Sequence, residues 1–134
     1  MNDARRFIGS WRLVETTDGG KFRTERGPRP TGLITYDASG WMAAQIQPDR
    51  APVTLAGETP TGEEAQAALR GYTAYFGTYT VDEIAKTVTH HRAASVSPGW
   101  EKRPDFVRAY EFVGENRVVL RPVGATHDLV WERL

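Results

Sequence analysis

Residues 32–47 read "GLITYDASGWMAAQIQ", and the way this stretch is punctuated decides the class of fold. Gly32-Leu33-Ile34-Thr35-Tyr36 is a short strand, Asp37-Ala38-Ser39-Gly40 is a tight turn by composition, and Trp41 to Gln47 is the next strand. The same rhythm of alternating apolar residues and turn chemistry continues on both sides. Upstream, a strand spans Gly9 to Thr17 with Trp11 and Leu13 on one face. Asp18-Gly19-Gly20 ends it, and a polar loop with Gly27-Pro28-Arg29-Pro30 follows. Downstream, strands are expected at Thr73–Val81, Thr87–Val96, Phe106–Val113, Arg117–Arg121 and His127–Arg133. Their joints fall around Asp82-Glu83, Pro98-Gly99, Gly114-Glu115-Asn116 and Gly124.

One segment breaks the pattern. Residues 48–60 carry three prolines and cannot be interior strand. Thr61 then caps a helix running to about Arg70, with Glu63 and Glu64 in its first turn and Gly71 ending it. This is the only helix the sequence signals. Eight strands, one helix and no βαβ rhythm give an all-β chain, and a meander of short antiparallel strands removes its edges by closing into a barrel. The links after strands one, three and five are long and the alternate ones are short. One end of an up-and-down barrel is then sealed by tight turns, and the other carries long loops and the helix. That describes a cup with room for one small ligand.

Composition narrows the function. The chain has 134 residues, one domain's worth, with seventeen basic and seventeen acidic residues and no cysteine. Its neutrality removes nucleic acid and anionic membranes as default partners. The missing cysteines remove disulfides, thiolate zinc sites, iron–sulfur clusters and thiol nucleophiles. Mean hydropathy is −0.50, as expected of a soluble globular protein. No signal peptide opens the sequence and no run approaches the roughly 20 apolar residues of a membrane span, so the expected location is cytoplasmic. Thirteen glycines and fourteen aromatic residues are the informative excess.

Specific strings then carry a family resemblance. Phe7-Ile8-Gly9-Ser10-Trp11-Arg12-Leu13 resembles the Gly-x-Trp strand that opens lipocalins and their relatives. "PTGLITYDASGWMAAQI" (30–46), "YTAYFGTYTVDE" (72–83), "VTHH" (88–91), "RAYEF" (108–112) and "LVWERL" (129–134) are similar to the small lipocalin-like domain family of bacteria and fungi. The resemblance spans nearly the whole chain in the right order. It implies an eight-stranded antiparallel up-and-down calycin-type barrel over residues 1–134, with an interior ligand cavity and a short helix at the open end. Extracellular transport as in secreted lipocalins does not carry over, because signal peptide and cysteines are lacking. The family has no common activity, and a fold alone assigns none.

Trp11 and Arg133 also have a physical reading. The first strand starts and the last strand ends at the short-turn end, so the indole can plug the bottom with the guanidinium stacked on it.

The polar residues that can face the lumen are few. Val88, His90 and Arg92 share one strand face, and the family's V-x-H pattern puts Val88 and His90 inward. On the next strand, Phe106, Arg108, Tyr110 and Phe112 share one face against Val107, Ala109, Glu111 and Val113, and either set can be the inner one. Pairing around Pro98-Gly99 would place His90 nearly opposite Arg108 or Tyr110. Tyr36, Tyr75 and Tyr79 complete the candidate ligand wall, with His90, Arg108, Tyr110 and Phe112. Such a wall suits a small hydrophobic or aromatic molecule bearing a carboxylate, phenol or ketone. An inward Arg108 would grip a carboxylate and would need either a ligand or an internal acid such as Glu15; an outward one would be a surface residue.

His90 has three readings: general base, ligand anchor, or core histidine bonded to Tyr79 or Tyr110. Three functions follow. The first is an intracellular binder of the molecule just described. The second is a cofactor-free isomerase, cyclase or dehydratase, with His90 as acid/base and Arg108 and Tyr79 steadying an enolate. The third is a structural dimer with a filled lumen, and a homodimer is open in any case. His90 and His91 point to opposite faces, so no metal is expected, nor any cofactor. The helix at 61–70 is either a mobile lid or a static spacer.

Overall fold

The turn at Asp37–Gly40 closes as its composition dictates. The Asp37 carboxylate accepts from the Ser39 N–H at 2.9 Å, the Ser39 hydroxyl at 2.7 Å and the Trp41 N–H at 3.0 Å. Gly40 takes φ +96°, which favours glycine. These bonds hold the Asp37 carboxyl below the ordinary aspartate range.

The structure, a computed structural model, describes residues 2–18, 21–22 and 26–134. The turn expected at Gly19-Gly20 lies outside the described residues. The elements begin with α1 (Asp3–Phe7), β1 (Gly9–Asp18), β2 (Lys21–Phe22), β3 (Thr31–Tyr36) and β4 (Trp41–Gln47). Then come α2 (Gly62–Leu69), β5 (Thr73–Asp82), β6 (Thr87–Ser95), a 3-10 turn (Trp100–Lys102), β7 (Asp105–Val113), β8 (Arg117–Pro122) and β9 (His127–Arg133). The eight long strands lie side by side in chain order, all antiparallel, and β9 returns to pair with β1 from Trp11↔Arg133 to Asp18↔His127. The result is a closed eight-stranded up-and-down barrel, to which the two-residue β2 adds a short hairpin on the end of β1.

Closure needs one very close approach. A Cβ on Gly77 would lie 1.9 Å from the His91 carbonyl oxygen, where the β5–β6 register shifts between Phe76 and Gly77. Only glycine lets the two backbones meet there, and the bulge bends the wall round.

Two features at the closed end exceed the expectation. The first is α1, a helix the periodicity does not signal because it is five residues long. Its signals are chemical: the Asn2 side chain accepts from the Ala4 N–H at 3.0 Å, and Asp3 precedes Arg5 and Arg6 in the order the helix dipole favours. The second is how α1 is pinned. The Asp3 carboxylate accepts from the Tyr110 hydroxyl at 2.7 Å and from the Lys86 ammonium at 2.9 Å, while the Asp3 N–H donates to Glu83. The hydrogen bonds from Lys86 and Tyr110 hold the Asp3 carboxyl below its ordinary range. Fully buried Phe7 drops into the barrel against Tyr36, Tyr110 and Phe112, with ring centroids 5.0–5.2 Å away.

Trp11 and Arg133 form the expected plug. The guanidinium sits 4.2 Å over the indole and donates to the carbonyls of Ile8 and Arg6, and the indole N–H donates to the Phe7 carbonyl at 2.9 Å.

At the other end α2 starts with a complete capping box between Thr61 and Glu64. Arg50 donates to the carbonyls of Ala68 and Arg70 at its C-terminus. None of its residues is buried. Thr61→Ala should therefore cost about 1 kcal/mol of local helix stability and leave the global melting temperature unchanged. Amide exchange over 62–69 together with a thermal melt checks this; a matching drop in global stability would show that the helix is integral to the barrel.

Candidate functional site

Alternation decides what reaches the lumen, and depth along the barrel axis decides what each residue meets there. On β6, Val88, His90 and Arg92 point inward and are buried. On β7 the inner set is Phe106, Arg108, Tyr110 and Phe112, while Val107, Glu111 and Val113 are exposed. The strands pair His90↔Phe106 and Val88↔Arg108. His90 is thus opposite Phe106, not Arg108 or Tyr110 as the position of Pro98-Gly99 implied. The β6–β7 link is an irregular loop containing the 3-10 turn, in which Gly99 adopts φ +79°, so no symmetric turn centre sets the register.

Above the plug and the Phe7 layer the lumen opens into a cavity of about 640 Å³. One side is apolar, built by Ile34, Ala44 and Ile46 from β3 and β4 and by Leu120, Leu129 and Trp131 from β8 and β9. The other side carries Tyr75, His90, Phe106 and Arg108. Nearer the mouth come Arg26, Arg92 and Arg103, together with Asp105. No residue of α2 lines this space.

His90 is 1% exposed, and both its ring nitrogens are engaged. Nε2 lies 2.6 Å from the Tyr36 hydroxyl and Nδ1 lies 2.7 Å from the Tyr75 hydroxyl. Burial, then the positive charge of Arg108, pushes its pKa down to about 3. The imidazole is therefore neutral. Burial raises both phenols above the tyrosine range, so they keep their protons.

Arg108 lies near the Tyr75 phenol and 4.5 Å over the Phe106 ring. Burial lowers its pKa from the ordinary arginine value, and the Tyr75 and Tyr36 phenols oppose that shift. A guanidinium remains charged under such conditions. Among the described residues no carboxylate pairs with it; Glu15, considered as an internal partner, is exposed. Arg92 is different. It sits 3.6 Å over the same Phe106 ring, but its N–H groups go to the carbonyls of Arg103 and Pro104. The carboxylate at the mouth, Asp105, is tied to His91 Nδ1 at 3.0 Å.

The structure thus brings together three of the candidate wall residues, Tyr75, His90 and Arg108, at the cavity. Tyr36 stands behind His90 and reaches the cavity only through it. Tyr79, Tyr110 and Phe112 lie below, in the floor: Tyr79 packs on Tyr36 at 4.8 Å and donates to the Asp37 carbonyl, and Tyr110 and Phe112 pack on Phe7. The bonds expected from Tyr79 or Tyr110 to His90 are made by Tyr36 and Tyr75 instead. Arg92 lies outside the wall read from the sequence, although its alternation with Val88 and His90 marks it. Nothing local marks Arg26 or Arg103, which loops bring to the mouth.

His91 faces outward, bonded to Thr80 and Asp105. Among the described residues no group of three or more histidines and carboxylates could hold a metal ion, and no helix is long and apolar enough to cross a membrane.

Comparisons agree on the architecture. No curated protein matches the sequence. An uncharacterized protein from Bacteroides eggerthii superposes with a TM-score of 0.57 at 11% identity, covering 96% of this chain and 99% of the other. A DUF4847 family protein from Bacteroides vulgatus gives 0.52 at 13% identity, covering 98% and 96%. The Schistosoma mansoni fatty acid binding protein, solved in complex with arachidonic acid, gives 0.46 at 15% identity, covering 99% of each chain. At that last TM-score the likeness says nothing further about this chain. The lipocalin-like domain family matches residues 8–133. With the barrel closed, plugged at one end and hollow at the other, the chain belongs to the lipocalin-like domain family.

Proposed function

We propose that the barrel binds a small, largely apolar molecule, aromatic or alkyl, through an acidic head group held at Arg108. The observation that carries this reading is a mostly buried guanidinium on the cavity wall with no carboxylate partner among the described residues. Such a charge is costly unless something pairs with it, and a ligand anion is the partner a cavity can supply. The apolar wall from Ile34 to Trp131 gives the rest of the molecule somewhere to lie, and 640 Å³ is ample for one ligand of modest size. A lumen of that size also argues against a barrel filled by its own side chains.

Catalysis by His90 is less well supported. A general base needs a free nitrogen and a pKa near the working pH, but both nitrogens are occupied and the pKa is about 3.

The test uses a matched pair of fluorescent probes, 1-anilinonaphthalene-8-sulfonate and N-phenyl-1-naphthylamine, which differ by one anionic group. The sulfonate should bind at least about tenfold more tightly, as charge-assisted hydrogen bonds require. Equal affinities, or no binding of either, would overturn the reading. Native mass spectrometry of protein from its natural host would then identify the retained molecule.

A further inference from the structure

Three side chains on neighbouring parts of the wall form a line from the core to the cavity: Tyr36, His90 and Tyr75. The two contacts can be polarised in two ways, because a neutral imidazole donates from one nitrogen and accepts at the other. If Nε2 carries the proton, the Tyr36 oxygen accepts it, and the Tyr36 O–H is left over. Tyr36 is 1% exposed, and His90 Nε2 is the one hydrogen-bond partner of its hydroxyl among the described residues. A buried donor would then go unsatisfied, which disfavours that arrangement by roughly ten- to a hundredfold. If Nδ1 carries the proton, the Tyr36 O–H donates to Nε2, and Nδ1–H donates to the Tyr75 oxygen. Arg108 also offers only donors, and it lies near the same Tyr75 phenol on the cavity wall. The Tyr75 oxygen then accepts from His90, and its own O–H is free to point into the cavity that Tyr75 lines with Arg108.

We infer that the buried Tyr36–His90 pair fixes the direction of this relay, which presents the Tyr75 O–H beside Arg108 as a second donor to the ligand head group. The inference rests on the proposed function and refines it. Two donors side by side favour a head group that only accepts, a carboxylate or sulfonate, over an alcohol, amine or primary amide. His90 and Tyr36 act through Tyr75 and are positioning residues, and Tyr75 is the residue that touches the ligand.

Two measurements separate this inference from the binding reading. Long-range nitrogen–proton correlation spectra of histidine-labelled, ligand-free protein report the tautomer directly, with His91→Gln and His127→Gln assigning the signals. The expected result is a proton on His90 Nδ1 and a bare Nε2. A proton on Nε2 would overturn the relay whether or not any ligand binds. Second, Tyr36→Phe should lower the affinity ratio of the sulfonate probe over the neutral probe by about three- to tenfold, as Tyr75→Phe does, with the neutral probe's affinity unchanged. Loss of affinity for both probes in equal measure, or a wild-type ratio in Tyr36→Phe, would show that Tyr36 merely packs. Should Tyr36→Phe not fold, the tautomer of the wild-type protein decides.

Discussion

Arg108→Met should raise the stability of the empty barrel and weaken its affinity for the sulfonate probe. The two halves of this expectation have one cause. The guanidinium is mostly buried, its pKa is lowered chiefly by burial, and no carboxylate among the described residues offsets its desolvation. Replacing an uncompensated buried charge with an apolar side chain of similar length should gain about 1 kcal/mol after the lost contact with Phe106 is set against it. For a barrel of this length that is an increase of roughly 3–5 °C in melting temperature. Methionine is chosen over alanine because an arginine stem also packs, and truncating it would add a cavity cost that hides the sign. Affinity should move the other way. An anion at this place loses charge-assisted bonds worth about 1.5–3 kcal/mol each, so the sulfonate probe should weaken by roughly ten- to a hundredfold and the neutral probe hardly at all. A thermal melt and two fluorescence titrations decide the matter. A variant that melts lower and binds the sulfonate as before would mean that Arg108 is structural.

The strained charge illustrates which parts of this protein are written locally. Alternation along β6 puts Val88, His90 and Arg92 on one face, and the resemblance to the family's V-x-H pattern turns that face inward, as the buried face of the strand is. On β7 alternation alone was not enough. Val107 and Ala109 look as apolar as Phe106 and Phe112, and only closure of the barrel turns the Arg108 face inward. Alternation also carries no information about depth. Tyr75 and Tyr79 share a face of β5, yet one reaches the cavity and the other donates to the Asp37 carbonyl near the closed end. Tyr110 and Phe112 follow Arg108 on one face, but they fall to the floor because Phe7 comes up from α1 to meet them. Which rung of the barrel a residue occupies depends on strand tilt and stagger, properties of the whole sheet. The plug was legible for the opposite reason: Trp11 and Arg133 sit at the strand ends that the meander itself brings together.

His90 supplies the last expectation, a loss of stability that begins well above the range where carboxylates titrate. In the unfolded chain its imidazole has an ordinary pKa of 6.5, and in the barrel the value is about 3. Between those limits the unfolded state binds a proton that the folded state refuses. Stability is therefore fully present above pH 6.5 and falls as the pH drops, by up to about 1.4 kcal/mol per unit. By pH 5 the loss is about 2 kcal/mol, and across the whole window it reaches roughly 4–5 kcal/mol. The groups around the ring reinforce the sign. Arg108 from β7 repels the imidazolium, and Tyr36 from β3 and Tyr75 from β5 offer neutral phenols; no carboxylate contributes to the shift. The paired carboxyls of Asp3 and Glu132 are held below their ordinary values, so their protonation takes away further stability only at lower pH. Denaturant unfolding of the wild-type protein and of His90→Asn at pH 7.0, 6.0 and 5.0 separates this histidine from His91 and His127. The wild-type protein should lose stability steadily over that span, and His90→Asn, whatever its own stability at pH 7, should have a flatter profile. Arg108→Met should lie between them, because removing the neighbouring charge lets the imidazole pKa rise while burial still holds it down. Parallel profiles for the wild-type and His90→Asn proteins would mean that the imidazole takes up its proton in the folded barrel, and the neutral relay from Tyr36 to Tyr75 would fall with that result.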